Sequence, residues 1–289
     1  MTMTNALPCR PVHIAAAGWL ALHATALWPH GLWAVRRWAD GSDDPLGIAA
    51  LAALVMWLVR AAPTLRVQPR LGWLVLSAAL TLAATAGWLL APPLPAAMLA
   101  ALALSAHLCA WLPERVARWP LAGLALLALP LVASLQFYLG YPLRVFTAEI
   151  SAWLLQAVGI AAERSGVAMT VAGKLVIVDA PCSGVQLAWL AYFAACAVAA
   201  FTGLRERAFL QRLPVVGLLV LTGNVLRNSV LVALEARPQG LANVWHEAIG
   251  LVLLMVVIGL TVRVMSPQGR PKGECSPLGG QRAARRGQP

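Results

Sequence analysis

Long apolar runs alternate with short polar or basic breaks along nearly all of this chain. The runs His13 to Val35, Leu46 to Ala62, Leu71 to Leu90, Leu94 to Leu112, Trp119 to Leu139, Gly184 to Gly203, Leu213 to Leu234 and Val244 to Val264 are each long enough for a helix to cross about 30 Å of hydrocarbon. The first carries His23, Trp28 and Pro29 and has no small-residue cleavage site after a basic region, so it is read as retained and not as a signal peptide. One connection is long, Gly140 to Ser183. Within it Phe146, Ile150, Trp153, Leu154, Ala157 and Val158 recur with a helical period among Thr147, Glu149, Ser151 and Gln156, which predicts an amphipathic helix over Phe146 to Ile160 lying on or dipping into the outer leaflet. The run VAMTVAGKLVIVDA that follows Ser165-Gly166 is β-rich and interrupted at Ala172-Gly173-Lys174, a small β-hairpin just ahead of the sixth span. The expected fold is an all-α polytopic membrane protein with about eight transmembrane helices, one surface helix and that hairpin. Three regions follow: residues 1–139 with five helices, 140–265 with three, and a disordered basic tail, 266–289.

Composition agrees with the pattern. With 60% hydrophobic residues, 11% charged and a mean hydropathy of +0.75, the chain needs a lipid-facing surface. The net charge of +11 raises nucleic acid as a partner, but the basic residues sit in short loops and in the tail, the pattern that orients a membrane protein. The expected partner is therefore the lipid bilayer, with no nucleic acid. When the eight runs alternate across the bilayer, 15 of the 22 Lys and Arg residues fall on the side of the N-terminus, six on the other, and Arg227 within a span. Both termini are thus expected in the cytoplasm, with Gly140 to Ser183 outside, in a plasma (inner) membrane. Trp33, Trp88 and Trp245 at outer ends, and Trp73, Trp111 and Trp119 at inner ends, fit interfacial belts. The five cysteines show no CxxC and no Cys/His ligand spacing, which argues against a disulfide scaffold or a metal site, and no cofactor is expected.

The candidate chemistry centres on VDAPCSGVQL, Val178 to Leu187. A strand-like run ends at Asp179 and Pro181, and Cys182-Ser183-Gly184 opens the sixth span. A thiol at a helix N-terminus meets unpaired N–H groups and the positive end of the dipole, which favour the thiolate; the alternative is a small apolar residue packed at a helix start. Arg227 in the seventh span lies about 10 Å below its outer end at roughly 1.5 Å per residue, and His246 begins the eighth. Three consecutive helices thereby bring a thiol, a guanidinium and an imidazole to one leaflet, the parts of a cysteine acyl-transfer site. An intramembrane Arg marks function by default, although pairing with Asp179, Glu235 or Glu247 would also hold helices together. Asn224, one turn before Arg227, is a candidate for orienting the guanidinium or substrate backbone. Gln186 offers either substrate binding or a helix–helix hydrogen bond. Glu247 adjoins His246 in sequence, but neighbouring side chains diverge on a helix, so it is not assigned as the imidazole's partner. Cys196 lies about 21 Å along the helix from Cys182, too far for a disulfide; Cys109 lies toward the inner end of the fourth span, and His13, His23, His30 and His107, with no acidic or cysteine companion at ligand spacing, read as core or interfacial packing.

Cys182-Ser183-Gly184, Asn224-x-x-Arg227 and His246-x-x-x-Gly250, in this order on successive late helices, resemble the exosortase/archaeosortase family over roughly Gly140 to Val264. The resemblance implies a membrane-embedded cysteine transpeptidase acting on exported proteins with a C-terminal sorting signal: a short Pro-Glu-Pro-like motif, a transmembrane helix and a basic tail. It implies Cys182 as nucleophile, Arg227 as cationic stabiliser and His246 as acid/base, with Asn224, Ser183, Gly184, Gln186 and Asp179 in support. The family often has Ala before its Cys; Pro181 stands here, with Asp179 two residues further upstream, as in a divergent subgroup. Two readings compete. A transporter would show paired broken helices or repeated halves, which are not evident, and a non-enzymatic assembly factor would not need the convergence of Cys, Arg and His. Both expect Cys182 to be replaceable. The charge asymmetry makes a direct prediction: reporter fusions at Ser165 and in the tail read outside and inside respectively, and matching readings at both positions would overturn the orientation.

Overall fold

The structure is a computed structural model, and it describes residues 11–178, 183–236 and 243–267; Asp179, Cys182 and the predicted tail from residue 268 onward lie outside the described residues. Ten helices and a small sheet make up the described chain. The first predicted span is two short helices, α1 (Pro11–Ala26) and α2 (Trp28–Ala39), parted at Leu27. Pro29 sits in the first turn of α2, where its missing N–H does no harm, whereas inside one continuous helix it would break the ladder. Next come α3 (Gly47–Ala61), which tightens into a 3-10 turn over Ala62–Thr64, then α4 (Leu71–Leu90) and α5 (Pro93–Trp111).

The largest departure from expectation is at the fifth predicted span. It forms α6 (Trp119–Leu127) and the beginning of α7 (Val132–Ala157), with a 95° bend between them. Pro130 lies in the break, and the N–H of Ala133 in the first turn of α7 is accepted by the Asp43 carboxylate at 3.2 Å. The surface helix expected from Phe146 is therefore the second half of α7. Phe146, Trp153, Leu154 and Val158 are exposed, as an apolar face turned to lipid requires, whereas Thr147, Ala148, Ser151, Ala152 and Leu155 are buried. In lipid an apolar side chain gains little by leaving the hydrocarbon, so small and hydroxyl-bearing residues take the helix contact instead.

The predicted hairpin is present and has a third strand. Strands β1 (Ala162–Ser165), β2 (Ala168–Val171) and β3 (Lys174–Ile177) form an antiparallel sheet in that order, paired Ala162 to Val171 and Val171 to Lys174. Ala172 (φ 50°) and Gly173 (φ 80°) are both left-handed, as a two-residue type I′ turn requires. Met169, Val171 and Val178 are buried against Ala148, Ala152 and Leu155 of α7. An ion pair between Arg164 and Glu149 fixes β1 to the same helix.

The last three helices are α8 (Val185–Thr202), α9 (Glu206–Glu235) and α10 (Asn243–Met265). Six helices among the described residues are long and apolar enough to cross a membrane, and the bent pair α6 and α7 makes a seventh if counted as one span. One core joins Ala50, Leu54 and Trp57 of α3 with Leu124 of α6, Trp189 and Ala195 of α8, Val216 of α9 and Val257 of α10. At one end of this bundle Arg66 and Arg70 lie 3.7 Å from Glu114, and Arg212 donates to the carbonyls of Val264 (2.7 Å) and Ser266 (3.0 Å). Trp111 is not in an interfacial belt: it is buried, packed with Trp73 and Leu74.

The contact of α6 with α8 depends on Gly123, where a Cβ would lie 2.5 Å from the Cys196 Sγ. Gly123→Ala should destabilise the protein by about 1–3 kcal/mol through overpacking. Adding Cys196→Ala should recover part of that loss, as read by thermal unfolding in detergent. An additive double variant would refute the contact.

Candidate functional site

Helix α9 is central to the region the sequence singled out, because its polar residues face three neighbours in turn. Toward α7, Asn224 Nδ2 donates to Thr147 Oγ1 (3.1 Å) and, one turn on, Asn228 Nδ2 donates to Ser151 Oγ (3.0 Å). All four side chains are buried. The spacing of four residues on both helices makes the two bonds consecutive rungs of one ladder. Toward α8, Asn224 meets Gly184: a Cβ there would come within 2.8 Å of Asn224 Cγ. Gly184 has φ 81° and caps α8, so its lack of a side chain answers both a backbone and a packing demand. Toward α10, Arg227 meets Gly250, where a Cβ would lie 3.2 Å from both Nε and Nη2.

The three sequence motifs therefore meet at their least conspicuous members. The glycine of the Cys-Ser-Gly turn rests on the first residue of Asn-x-x-Arg, and the glycine of His-x-x-x-Gly rests on its last. Asn224 is engaged with α7 and Gly184, which makes it a support of the turn that carries Ser183. The Ser183 hydroxyl donates to Gln136 Oε1 (2.7 Å) and accepts from the N–H of Val185 (3.3 Å), so the start of α8 is fastened to α7 as well.

Three recesses surround this junction. One, of about 280 Å³, lies between α8 and α10 and has Arg227, Glu247, Gln186 and Gly250 at its polar part and Leu187, Leu190, Leu251 and Leu254 along the rest. A second, of about 400 Å³, is lined by His246, Glu235, Asn228 and the edge of β3 from Leu175 to Ile177. Arg227 and His246 thus line different recesses, reached from adjacent positions around α9. Glu247 lines the first and His246 the second, the divergence expected of neighbours on a helix. The chain passes from one recess to the other: Ile177 borders the second and Gly184 the first, with Asp179 and Cys182 between them in sequence but outside the described residues.

The third recess, of about 300 Å³, was not foreseen. It lies between the loop after α2 and the starts of α7 and α8, and includes Asp43, Asp44, Gln136, Ser183 and Gln186. Gln186 donates to Asp44 Oδ2 at 2.8 Å, so of the two roles open to it the structure contains a hydrogen bond, to a loop and not to a helix. Burial pushes the Asp43 carboxyl above its ordinary range, against the opposing pull of the Ala133 and Asp44 N–H groups and of Arg37. Polar residues spaced by four within apolar helices, Thr147 with Ser151 and Asn224 with Asn228, were a signal for the ladder; nothing in the spacing of Asp43 pointed to α7 or α8. Cys196 and Cys109 are buried free thiols, and His23, His30 and His107 are buried in the N-terminal helices, where His23 Nε2 lies 3.0 Å from Ser77 Oγ. Among the described residues no three His, Cys, Asp or Glu side chains are grouped to hold a metal ion.

Gly184→Ala should cost about 1–2 kcal/mol from the left-handed backbone alone. The clash with Asn224 adds to it. Pairing it with Asn224→Ser should relieve only the clash, leaving the backbone cost visible in thermal unfolding; full recovery would contradict the assigned φ.

No curated protein and no solved structure shows significant similarity to this chain. The family described as Transmembrane exosortase (Exosortase_EpsH) matches residues 37–263, which includes all three late motifs and extends upstream of Gly140 to take in the Asp43 loop. This multi-pass membrane protein belongs to the transmembrane exosortase family, whose members act on exported proteins that carry sorting signals.

Proposed function

We propose that this protein is a membrane-embedded cysteine transpeptidase or peptidase that cleaves the C-terminal sorting signal of exported proteins through a thioester on Cys182. The observation that carries the reading is the double contact on α9, Gly184 on Asn224 and Gly250 on Arg227, which ties the three motifs into one junction. Cys182 immediately precedes the Ser183-Gly184 turn that this junction holds. Its thiolate attacks the scissile carbonyl of the signal. Arg227 and the N–H groups at the start of α8 stabilise the oxyanion, and His246 protonates the leaving amine. A second nucleophile, an amine or water, then resolves the thioester.

The recess between α8 and α10 suits such a substrate. A guanidinium stands at its polar part, and five leucines line the rest of it, matching a short polar motif followed by an apolar helix. Gly250 keeps the guanidinium accessible from that recess. The reading puts both termini in the cytoplasm and the junction at the outer face of the inner membrane, following the asymmetry of basic loops.

The test measures membrane abundance and loss of the substrate's C-terminal helix for the wild type and for Cys182→Ala, Arg227→Lys and His246→Ala. Cys182→Ala should abolish processing at normal abundance. Arg227→Lys keeps the charge and loses the planar fork, so it should reduce the rate by about 10²- to 10³-fold, as loss of one oxyanion donor does. Processing that survives Cys182→Ala would end the proposal.

A further inference from the structure

Strand β3 is an edge of its sheet: β2 pairs with one side of it, and no described strand pairs with the other. In an antiparallel pair, opposed residues alternate between those that exchange N–H···O=C bonds and those that do not. The two-residue turn closes on Val171 and Lys174, and farther along the N–H of Val178 donates to the carbonyl of Val167 (2.9 Å), so the bonded positions are Lys174, Val176 and Val178. The N–H and C=O groups of Leu175 and Ile177 therefore point away from β2, and among the described residues nothing takes them.

These groups face a cleft. The recess of about 400 Å³ is bordered by Leu175, Val176 and Ile177 in succession, with the last turns of α9 from Asn228 to Glu235 and His246 of α10 as its other walls. Consecutive side chains of a strand point to opposite faces, so a cavity bordered by all three runs along the edge and not over one face. Leu175 is 68% exposed and Ile177 55%, so the described chain leaves this edge open. An open edge beside a cleft accepts an extended peptide, whose backbone continues the ladder. Position says which peptide: His246 lines the cleft, and Cys182 follows Ile177 by five residues. The strand runs from this cleft toward Gly184 and the recess between α8 and α10, which suits the substrate's apolar helix. A substrate whose apolar helix follows its scissile bond crosses the two recesses in that same direction, and so lies parallel to β3.

We propose that the extended segment of the sorting signal binds as a fourth strand, parallel to β3 along its free edge, and is led by it to Cys182. This rests on the acyl-transfer reading above. In a parallel ladder one residue of the added strand donates its N–H to the Leu175 carbonyl and accepts the Ile177 N–H on its own carbonyl, while its two neighbours turn their groups to the far side. A residue between two prolines, as in a Pro-Glu-Pro-like motif, suits that place, because the missing N–H groups both fall on the far side. The same prolines leave the new edge unable to recruit a further strand.

The experiment uses the full-length Cys182→Ala protein in nanodiscs and the synthetic peptide Ser-Val-Pro-Glu-Pro-Ala-Ser, with binding followed by saturation-transfer NMR. Methylating the backbone nitrogen of the glutamate, or of the alanine two residues on, should weaken binding about tenfold, the effect of one lost backbone hydrogen bond at the upper end of its range. Methylating the final serine should leave it within twofold. No binding of the unmodified peptide, or equal effects of methylation at all three positions, would overturn the proposal. On the protein side, Ile177→Pro removes an N–H that the β2–β3 ladder does not use, and should weaken binding about tenfold, whereas Ile177→Val should stay within twofold. Unchanged binding to Ile177→Pro would overturn the proposal. Should that variant reach the membrane in reduced amount, the methylation pattern, read on an unaltered strand, still decides. A dimer of the protein that Ile177→Pro dissociates and the peptide does not would put a second copy on the edge and overturn it as well. Peptide cleavage persisting in Cys182→Ala would remove the thioester reading, while binding still judges the edge.

Discussion

The ladder between α7 and α9 is the constraint on which the rest of the site depends. In hydrocarbon there is no water to satisfy an amide or a hydroxyl, so Asn224 and Asn228 must find partners within the bundle. Thr147 and Ser151 supply them, at a spacing that fixes both the rotation and the register of the two helices. Ala148 and Ala152 beside them let the backbones approach. Once α9 is fixed in rotation, Asn224 faces Gly184, Arg227 faces Gly250, and Asn228 borders the recess with His246. A slip of one residue would turn all of these groups away together.

A second constraint comes from the glycines. At Gly184 and Gly250 the side chains of α9 occupy the space a Cβ would need, and the motifs are thereby linked by contact between a polar group and bare backbone. The guanidinium of Arg227 lines the recess between α8 and α10. Arg227 and His246 line two different recesses beside α9.

The bend between α6 and α7 links the N-terminal helices to this junction. Pro130 and the 95° turn expose the first N–H groups of α7, and Asp43 reaches across from the loop after α2 to accept one of them. The loop cannot shift without uncapping α7, and α7 in turn carries Gln136 to Ser183 and Thr147 to Asn224. An acidic loop that looks remote in sequence is in this way held at the mouth of α8.

The sequence by itself determined what depends on local pattern: the lipid solvent, the extents of α3, α4, α5, α8 and α10 to within a few residues, the end of α9 although that helix begins at Glu206 and not at Leu213, the β2–β3 hairpin with its turn at Ala172-Gly173, and the motif trio that marks the family. These follow from apolar length, alternation and residue chemistry, which a linear chain displays directly. The tertiary structure decided what depends on who faces whom. Periodicity located a helix over Phe146 to Ile160 and gave it an apolar face for lipid, but did not show that it continues α7 or that its small, hydroxyl-bearing face packs on α9. The split at Leu27, the third strand and the bend at Pro130 likewise rest on competition between chain continuity and contacts far away in sequence. Asp43 is the clearest case: a loop carboxylate has no period and no motif, and only the packing of the loop on α7 gives it the Ala133 N–H to accept.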